Sequence, residues 1–192
     1  MNAIFNQRAI LDRRKLLSKI NSVFPQNNYE PAKREELLSV VKKSFDSGFF
    51  EIEKRFGFNN NGLDVLKSNS FLVDQVIRVL FEVATTLAYP RGNPSTAEKI
   101  SLVAVGGYGR EELAPYSDID IMFLHPYKKT PYIEQIVEFL LYFLWDLGLK
   151  VGHSTRSIDD CIRLSKNDLI IETSLLDSRW LWGYQKPYFD LV

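Results

Sequence analysis

Two aspartates in a short apolar segment are the residues of this sequence best suited to chemistry. Asp118 and Asp120 belong to Ser117–Leu124 (SDIDIMFL), whose apolar and β-branched residues predict a β-strand. Side chains alternate between the two faces of a strand, so both carboxylates lie on one face, about 7 Å apart. Such a pair suits Mg²⁺, which completes its coordination shell with water and substrate phosphates. The alternative interpretation is an edge strand with two solvated aspartates.

A glycine-rich turn precedes these aspartates. Gly106 and Gly107 directly follow the predicted buried strand Ile100–Val105, and ten residues separate Gly107 from Asp118. Glycine has no Cβ, so its backbone amide can approach a ligand closely. Taken alone, the glycines also fit an ordinary tight turn. The order of strand, glycine turn, spacer and paired carboxylates predicts that a triphosphate bound by the turn lies beside metals bound by the next strand.

Two polar side chains next to these motifs are candidates for phosphate contacts. The planar guanidinium of Arg110 can bind an oxyanion through two hydrogen bonds. Its alternative role is a salt bridge to Glu111 or Glu112. Ser117 directly precedes the aspartates, where its hydroxyl would either bind a phosphate or cap the entry of the strand.

The predicted strand Leu149–Ser157 adds two further candidates with open roles. His153 is a candidate catalytic residue, and the alternative is a structural histidine bonded to the backbone at a strand end. Arg156 is a candidate phosphate ligand, and the alternative is an ion pair with Asp159 or Asp160.

The elements that must position these residues fall into two regions. Residues 1–95 predict helices, because apolar residues recur at helical spacing through most of this stretch. Residues 96–192 predict a small sheet with packed helices, the last of them over Asp168–Leu181. We therefore expect an α+β fold, in which N-terminal helices are followed by a small mixed β-sheet with packed helices. The final residues (YQKPYFDLV) carry no terminating signal, so we expect the core to be truncated there.

The composition excludes several classes of function. Lys and Arg together number 24, as do Asp and Glu, which argues against binding nucleic acid through bulk positive charge. Cys161 is the single cysteine and there are two histidines, so neither an intrachain disulfide nor a four-ligand zinc site is expected. No apolar run reaches the roughly 18 residues of a membrane span, and the N-terminus lacks a signal-peptide core. We expect a cytoplasmic protein with neither nucleic acid nor membrane as a partner.

The string VAVGGYGREELAPYSDIDIMFL (103–124) resembles the signature of the DNA polymerase β-like nucleotidyltransferase superfamily. It is most similar to the N-terminal nucleotidyltransferase domain of the bacterial bifunctional uridylyltransferase/uridylyl-removing enzymes. The similarity continues through LYFLWDLGLKVGHSTRSIDDCIRLSKNDLIIETSLLDSRWLWG (141–183) and into the helical segments before residue 95.

This resemblance implies a polymerase β-like fold whose nucleotidyltransferase core spans residues 96–192. It also implies Mg²⁺-dependent transfer of UMP from UTP to a tyrosine of the nitrogen-signalling protein PII, with release of pyrophosphate. The implied catalytic and metal-binding residues are Asp118 and Asp120. The implied nucleotide-binding residues are Gly106, Gly107, Arg110 and Ser117.

Two departures from the family pattern keep other functions open. Glu111 stands where the family usually has glycine, and the strand that commonly carries a third carboxylate reads KVGHSTRS, without an acid. Because the paired aspartates do not distinguish one nucleotide from another, one alternative function is a different nucleotidyltransferase of the superfamily, which transfers AMP or acts on a small molecule. The other is a non-catalytic fragment that binds nucleotide or PII.

Overall fold

The first half of the chain folds into helices that pack on a small sheet. The computed structural model describes residues 6–25 and 29–192. The helices before the sheet are α1 (Gln7–Ile10), α2 (Arg13–Val23), α3 (Arg34–Asn59) and α4 (Gly62–Val83), which a π-helical segment extends through Ala84–Ala88. Residues 1–5 and 26–28 of the predicted helical region lie outside the described residues.

Local capping explains why α3 and α4 are separate helices. Asn60 ends α3 in the left-handed backbone conformation, with a φ of 50°. Asn61 then caps α4, because its side chain accepts a hydrogen bond from the backbone N–H of Leu63 at 3.1 Å. Two asparagines therefore suffice to reverse the chain between two long helices.

A mixed four-stranded sheet forms the centre of the second half. Its strands are β1 (Ser101–Ala104), β2 (Ile119–His125), β3 (Val151–Ser157) and β4 (Arg179–Gly183). The spatial order is β3-β2-β1-β4, in which β1 runs antiparallel to β2 and β4, whereas β2 and β3 are parallel. A parallel pair needs a crossover connection, which a long helix between β2 and β3 provides. The predicted α+β fold with a mixed sheet is confirmed.

In the described part of the chain, the α-helices that accompany the sheet are α5 (Gly106–Gly109), α6 (Pro131–Asp146), α7 (Ile158–Ser165), α8 (Leu169–Leu176) and α9 (Lys186–Phe189). The helix predicted over Asp168–Leu181 is wrong in its last part, since α8 ends at Leu176 and Arg179 begins β4. Pairing with β1 stabilises this fourth strand. The local sequence pattern gives no sign of that long-range contact.

The two faces of the sheet belong to different apolar clusters. One face carries Ile121 and Phe123, which join a large core shared with α4 and α6. The opposite face carries Met122 and Leu124, which join a small cluster around the buried Cys161 of α7. The large core includes residues on both sides of position 95, and the domain division at that position stays a prediction. Within the described part of the chain, no helix combines the length and the hydropathy that a membrane crossing requires.

Candidate active site

A cavity of about 280 Å³ lies on the face of the sheet that bears the small cluster. Strands β2 and β3, the end of β1 and helix α8 enclose it. The lining residues that the site uses are Gly106, Asp120, Gly152, Ser154, Arg156 and Ser174. The register explains why they meet, because Asp120 pairs with Gly152 across the parallel strands and paired residues share a face.

The two aspartates of the motif lie at the start of β2. Asp120 is partly buried within the strand, whereas Asp118 directly precedes the strand and is exposed. Burial, and secondly the negative charge of Asp118, raise the pKa of the Asp120 carboxyl above its ordinary value. Among the described residues, no group donates a hydrogen bond to either carboxylate, and no cation forms an ion pair with either.

This pair of carboxylates fits a divalent cation. Two neighbouring negative charges without a compensating cation are unfavourable by themselves, and a bound metal would remove their repulsion. The described residues contain no group of three or more His, Cys, Asp or Glu side chains that could hold a metal. Two carboxylates therefore leave most of the coordination shell to water and substrate, as Mg²⁺ prefers.

The glycine turn lies directly against Asp120. Gly106 has a φ of +59°, in the left-handed region that favours glycine, and a Cβ there would lie 3.5 Å from Oδ2 of Asp120. The backbone N–H of Val105 donates to the carbonyl of Asp120 at 3.1 Å. The structure therefore brings Gly106 and the carboxylate of Asp120 together in the cavity, whereas Asp118 and Gly107 are outside its lining.

A buried polar cluster fixes the turn from behind. The hydroxyl of Tyr108 donates to Asp74 of α4 at 2.7 Å, and Arg179 of β4 donates to the same carboxylate at 2.7 and 3.1 Å. Arg179 also donates to the backbone carbonyls of Tyr108 and Gly109, each at 3.2 Å. Burial and the Asp74 carboxylate raise the pKa of Tyr108, so its hydroxyl keeps its proton. This cluster therefore connects the turn to α4 and β4 through hydrogen bonds and restricts its position.

Helix α4 also holds the chain that follows the turn. The backbone N–H of Leu113 donates to Ser70 at 3.1 Å. The side-chain amide of Asn69 donates to the carbonyls of Leu113 and Ala114 at 3.0 and 3.3 Å. The segment between the glycines and the aspartates is thus tied to a rigid helix, although it contains little regular structure of its own.

Comparison with known proteins identifies the region that contains this site. Residues 93–176 match the family model described as a nucleotidyltransferase domain. These residues form a nucleotidyltransferase domain. The resemblance noted from the motif string is confirmed.

Curated relatives extend the similarity along nearly the whole chain. The chain is 46% identical to the bifunctional uridylyltransferase/uridylyl-removing enzyme of Azospirillum brasilense over 97% of its length. It is 45% identical over 96% to the enzyme of that name from Rhodospirillum rubrum, and 44% identical over 95% to that from Erythrobacter litoralis. The chain spans 20% of the length of each of these relatives.

Two predicted nucleotide-binding side chains of the nucleotidyltransferase domain lie outside the cavity. Arg110 donates to Glu112 at 2.9 Å and to Asp177 at 2.5 Å, so the predicted alternative of a salt bridge to Glu112 is present. Ser117 is exposed and lines a neighbouring groove between α3 and the end of α6. Their roles toward a nucleotide stay predictions.

Gly107 has free space on the side where its Cβ would lie. The nearest atoms to such a Cβ are a guanidinium nitrogen of Arg110 at 3.8 Å and the carbonyl oxygen of Glu112 at 4.0 Å. The fold therefore does not require glycine at this position.

The candidates on β3 have different surroundings. His153 also lines the cavity, but it is exposed, and its ring lies edge-on to Trp145 of α6, with 6.3 Å between ring centroids. Arg156 lines the cavity, and neither Asp159 nor Asp160 forms an ion pair with it. Asp160 instead accepts hydrogen bonds from Ser157 and Arg163.

Sequence reasoning missed Gly152, Asp74 and Arg179. A Cβ on Gly152 would clash with Oδ1 of Asp120, so glycine is required for the observed position of that carboxylate. Asp74 is 6% exposed. In the sequence it is an acidic residue within the apolar pattern of α4, and such a position indicates a buried carboxylate that needs a partner.

Proposed function

We propose that this chain transfers UMP from UTP to a tyrosine of the PII signalling protein with Mg²⁺, in the cytoplasm. The observation that carries this proposal is the identity of 44–46% over 95–97% of the chain to enzymes whose name begins with uridylyltransferase. That identity covers the cavity, the glycine turn and the paired carboxylates together, so it is not confined to a short motif.

The residues in and around the cavity have separable tasks in this reaction. Asp118 and Asp120 would hold Mg²⁺, which supplies charge neutralisation to the triphosphate. The backbone at Gly106 and Gly107 is free of side chains that would keep phosphates away from the carboxylates. Asp74, Tyr108 and Arg179 keep the turn in position, which favours a fixed orientation of the bound nucleotide.

In the transfer step, the phenolic oxygen of the acceptor tyrosine forms a bond to the α-phosphorus of UTP. The bond between that phosphorus and the oxygen bridging to the β-phosphate breaks, and pyrophosphate leaves with the bonding electron pair. The phenolic proton passes to water. Such a step depends more on positioning and on charge stabilisation than on a strong base.

A labelling experiment tests this proposal. The protein is incubated with purified PII, Mg²⁺ and either UTP or ATP labelled at the α-phosphate, and the label on PII tyrosine is measured. We expect label from UTP, and none when both Asp118 and Asp120 are replaced by Asn. Label from ATP alone would indicate a different nucleotidyltransferase, and nucleotide binding without labelling would indicate a non-catalytic fragment.

A further inference from the structure

Arg156 occupies a distinctive position in the cavity. It lies on β3 opposite Leu124, and alternation along the strand puts Gly152, Ser154 and Arg156 on the face that carries Asp120. Arg156 is four residues beyond Gly152, so its backbone is ~13 Å from that glycine along the strand. All four residues nevertheless line the same cavity, because the long side chain of the arginine extends into it.

The guanidinium of Arg156 has no hydrogen-bond or ion-pair partner within the described residues, although its charge acts on the buried thiol of Cys161. It is partly buried, yet it forms neither a hydrogen bond nor an ion pair. By contrast, Arg110 is more exposed and is paired with two carboxylates. Solvent reaches the nitrogens of Arg156, so an anionic ligand that enters the cavity can bind them in place of water.

The charges at the two ends of the cavity are complementary to a metal-bound polyphosphate. The carboxylate of Asp120 lies at one end, and Arg156 is the one arginine or lysine among the lining residues described. The two side chains do not pair with each other. Gly152 pairs with Asp120, and Ser154 lies between Gly152 and Arg156 on β3. The hydroxyls of Ser154 and of Ser174 in α8, which also line the cavity, can donate hydrogen bonds.

We propose that Arg156 binds a phosphate group of the nucleotide, at the end of the cavity opposite the paired aspartates. The planar guanidinium suits two parallel hydrogen bonds to phosphate oxygens, and its charge compensates the β- and γ-phosphates. This inference rests on the proposed function, because it takes a nucleoside triphosphate as the ligand. It makes Arg156, rather than Arg110, the arginine that contacts the substrate.

Calorimetric titration tests the proposal without relying on turnover. UTP, pyrophosphate and uridine are each titrated into wild type, Arg156→Gln and Arg156→Lys, both with Mg²⁺ and with the metal chelated. Arg163→Gln is the matched control, since it removes the same charge from a surface arginine of α7 that pairs with Asp160. Thermal melting establishes that each variant is folded.

We expect Arg156→Gln to weaken UTP and pyrophosphate binding by about 10- to 100-fold, with an intermediate loss for Arg156→Lys. Uridine binding and the Arg163→Gln control should be unchanged. Equal UTP affinity in wild type and Arg156→Gln, or an equal loss for uridine, would overturn the proposal. If Arg156→Gln does not fold, the phosphate-specific loss in Arg156→Lys decides. Absence of UTP binding by the wild type would instead contradict the proposed function itself.

Discussion

The two faces of strand β2 differ in what their side chains do. Ile119, Ile121 and Phe123 are at most 1% exposed and belong to the large core beneath α4 and α6. On the opposite face, Asp120 borders an open cavity, and only Met122 and Leu124 beyond it are covered by apolar neighbours. One seven-residue strand therefore contributes to stability through one face and to the candidate site through the other.

The comparison shows how a small sheet remains stable although it bears two neighbouring carboxylates without a cation partner. The buried face supplies enough apolar contact that the other face can keep glycine at positions 106 and 152, where side chains would crowd Asp120. Glycine in regular structure costs roughly 0.5–1 kcal/mol relative to alanine. Natural sites commonly show such local costs where function requires them.

The largest expected effect is a loss of stability when a core side chain on the buried face of β2 is truncated. Phe123→Ala should lower the free energy of unfolding by about 3–5 kcal/mol, because it removes a fully buried ring from the large core. Met122→Ala, the matched change on the other face, should cost ~2 kcal/mol, because Met122 already borders the cavity. Urea unfolding measures both. A greater loss for Met122→Ala than for Phe123→Ala would show that the comparison of the faces is wrong.

The second effect concerns activity and leaves the fold intact. Asp120→Asn should lower the transfer rate at least ~100-fold, because Asp120 is the proposed metal ligand and a ligand matters no less than the groups that orient it. The same variant should melt at a slightly higher temperature than wild type, because it removes a carboxylate that burial and Asp118 destabilise. Asp46→Asn, an exposed aspartate of α3, is the control and should change neither quantity.

The pH dependence of this stability gain has a definite sign. The pKa of Asp120 is raised from 3.8 in the folded protein, so its ionisation destabilises the fold as the pH rises through that interval. The melting advantage of Asp120→Asn should therefore be complete at neutral pH and shrink as the pH falls toward 3.8. An advantage that grows in acid would contradict the assigned direction of the shift.

A smaller effect is expected at the glycine turn. Gly107→Val should raise the dissociation constant of UTP roughly tenfold by obstructing one backbone contact to phosphate. Its melting temperature should stay close to that of wild type, since a Cβ at this position meets no atom closer than 3.8 Å. Gly57→Val, in α3 with open space around it, provides the control. Unfolding of Gly107→Val would show that the turn is structural.

The sequence predicted the fold class and three strands because these elements have local apolar patterns. The predicted strand Ser117–Leu124 differs from β2 by two residues at its start and one at its end. The fourth strand was missed because Arg179–Gly183 is defined by its pairing with β1, far away in the chain. The local sequence of this segment gives no sign of that pairing.

Some residues of the candidate site could be predicted from the local sequence, whereas others could not. Asp118, Asp120 and the glycines stand close together in one string, so their types and spacing were enough to predict a shared site, and their roles stay predictions. Gly152 and Arg179 reach that site only through the register of β3 and β4. Their importance depends on contacts across the sheet, which a single sequence does not display.

The smallest expected effect concerns the backbone at Glu111, where the family pattern has glycine. Glu111 has a φ of +63°, so the turn keeps a left-handed residue although a side chain is present. Left-handed backbone costs a non-glycine residue roughly 1–2 kcal/mol, partly offset here because glycine has more conformational freedom when unfolded. Glu111→Gly should therefore raise the free energy of unfolding by up to about 1 kcal/mol.

Glu111→Ala separates this backbone effect from the loss of the carboxylate, which lies 3.8 Å from Arg179. Both variants lose that weak ion pair, but only glycine relieves the left-handed conformation. Chemical unfolding should thus find Glu111→Gly more stable than Glu111→Ala by about 1 kcal/mol. Equal stabilities would mean that the turn relaxes to another conformation at no cost. The polar cluster of Asp74, Tyr108 and Arg179 would then restrict the backbone of the turn less than its hydrogen bonds indicate. The cavity face of the sheet would in that case be more mobile than the face that packs in the large core.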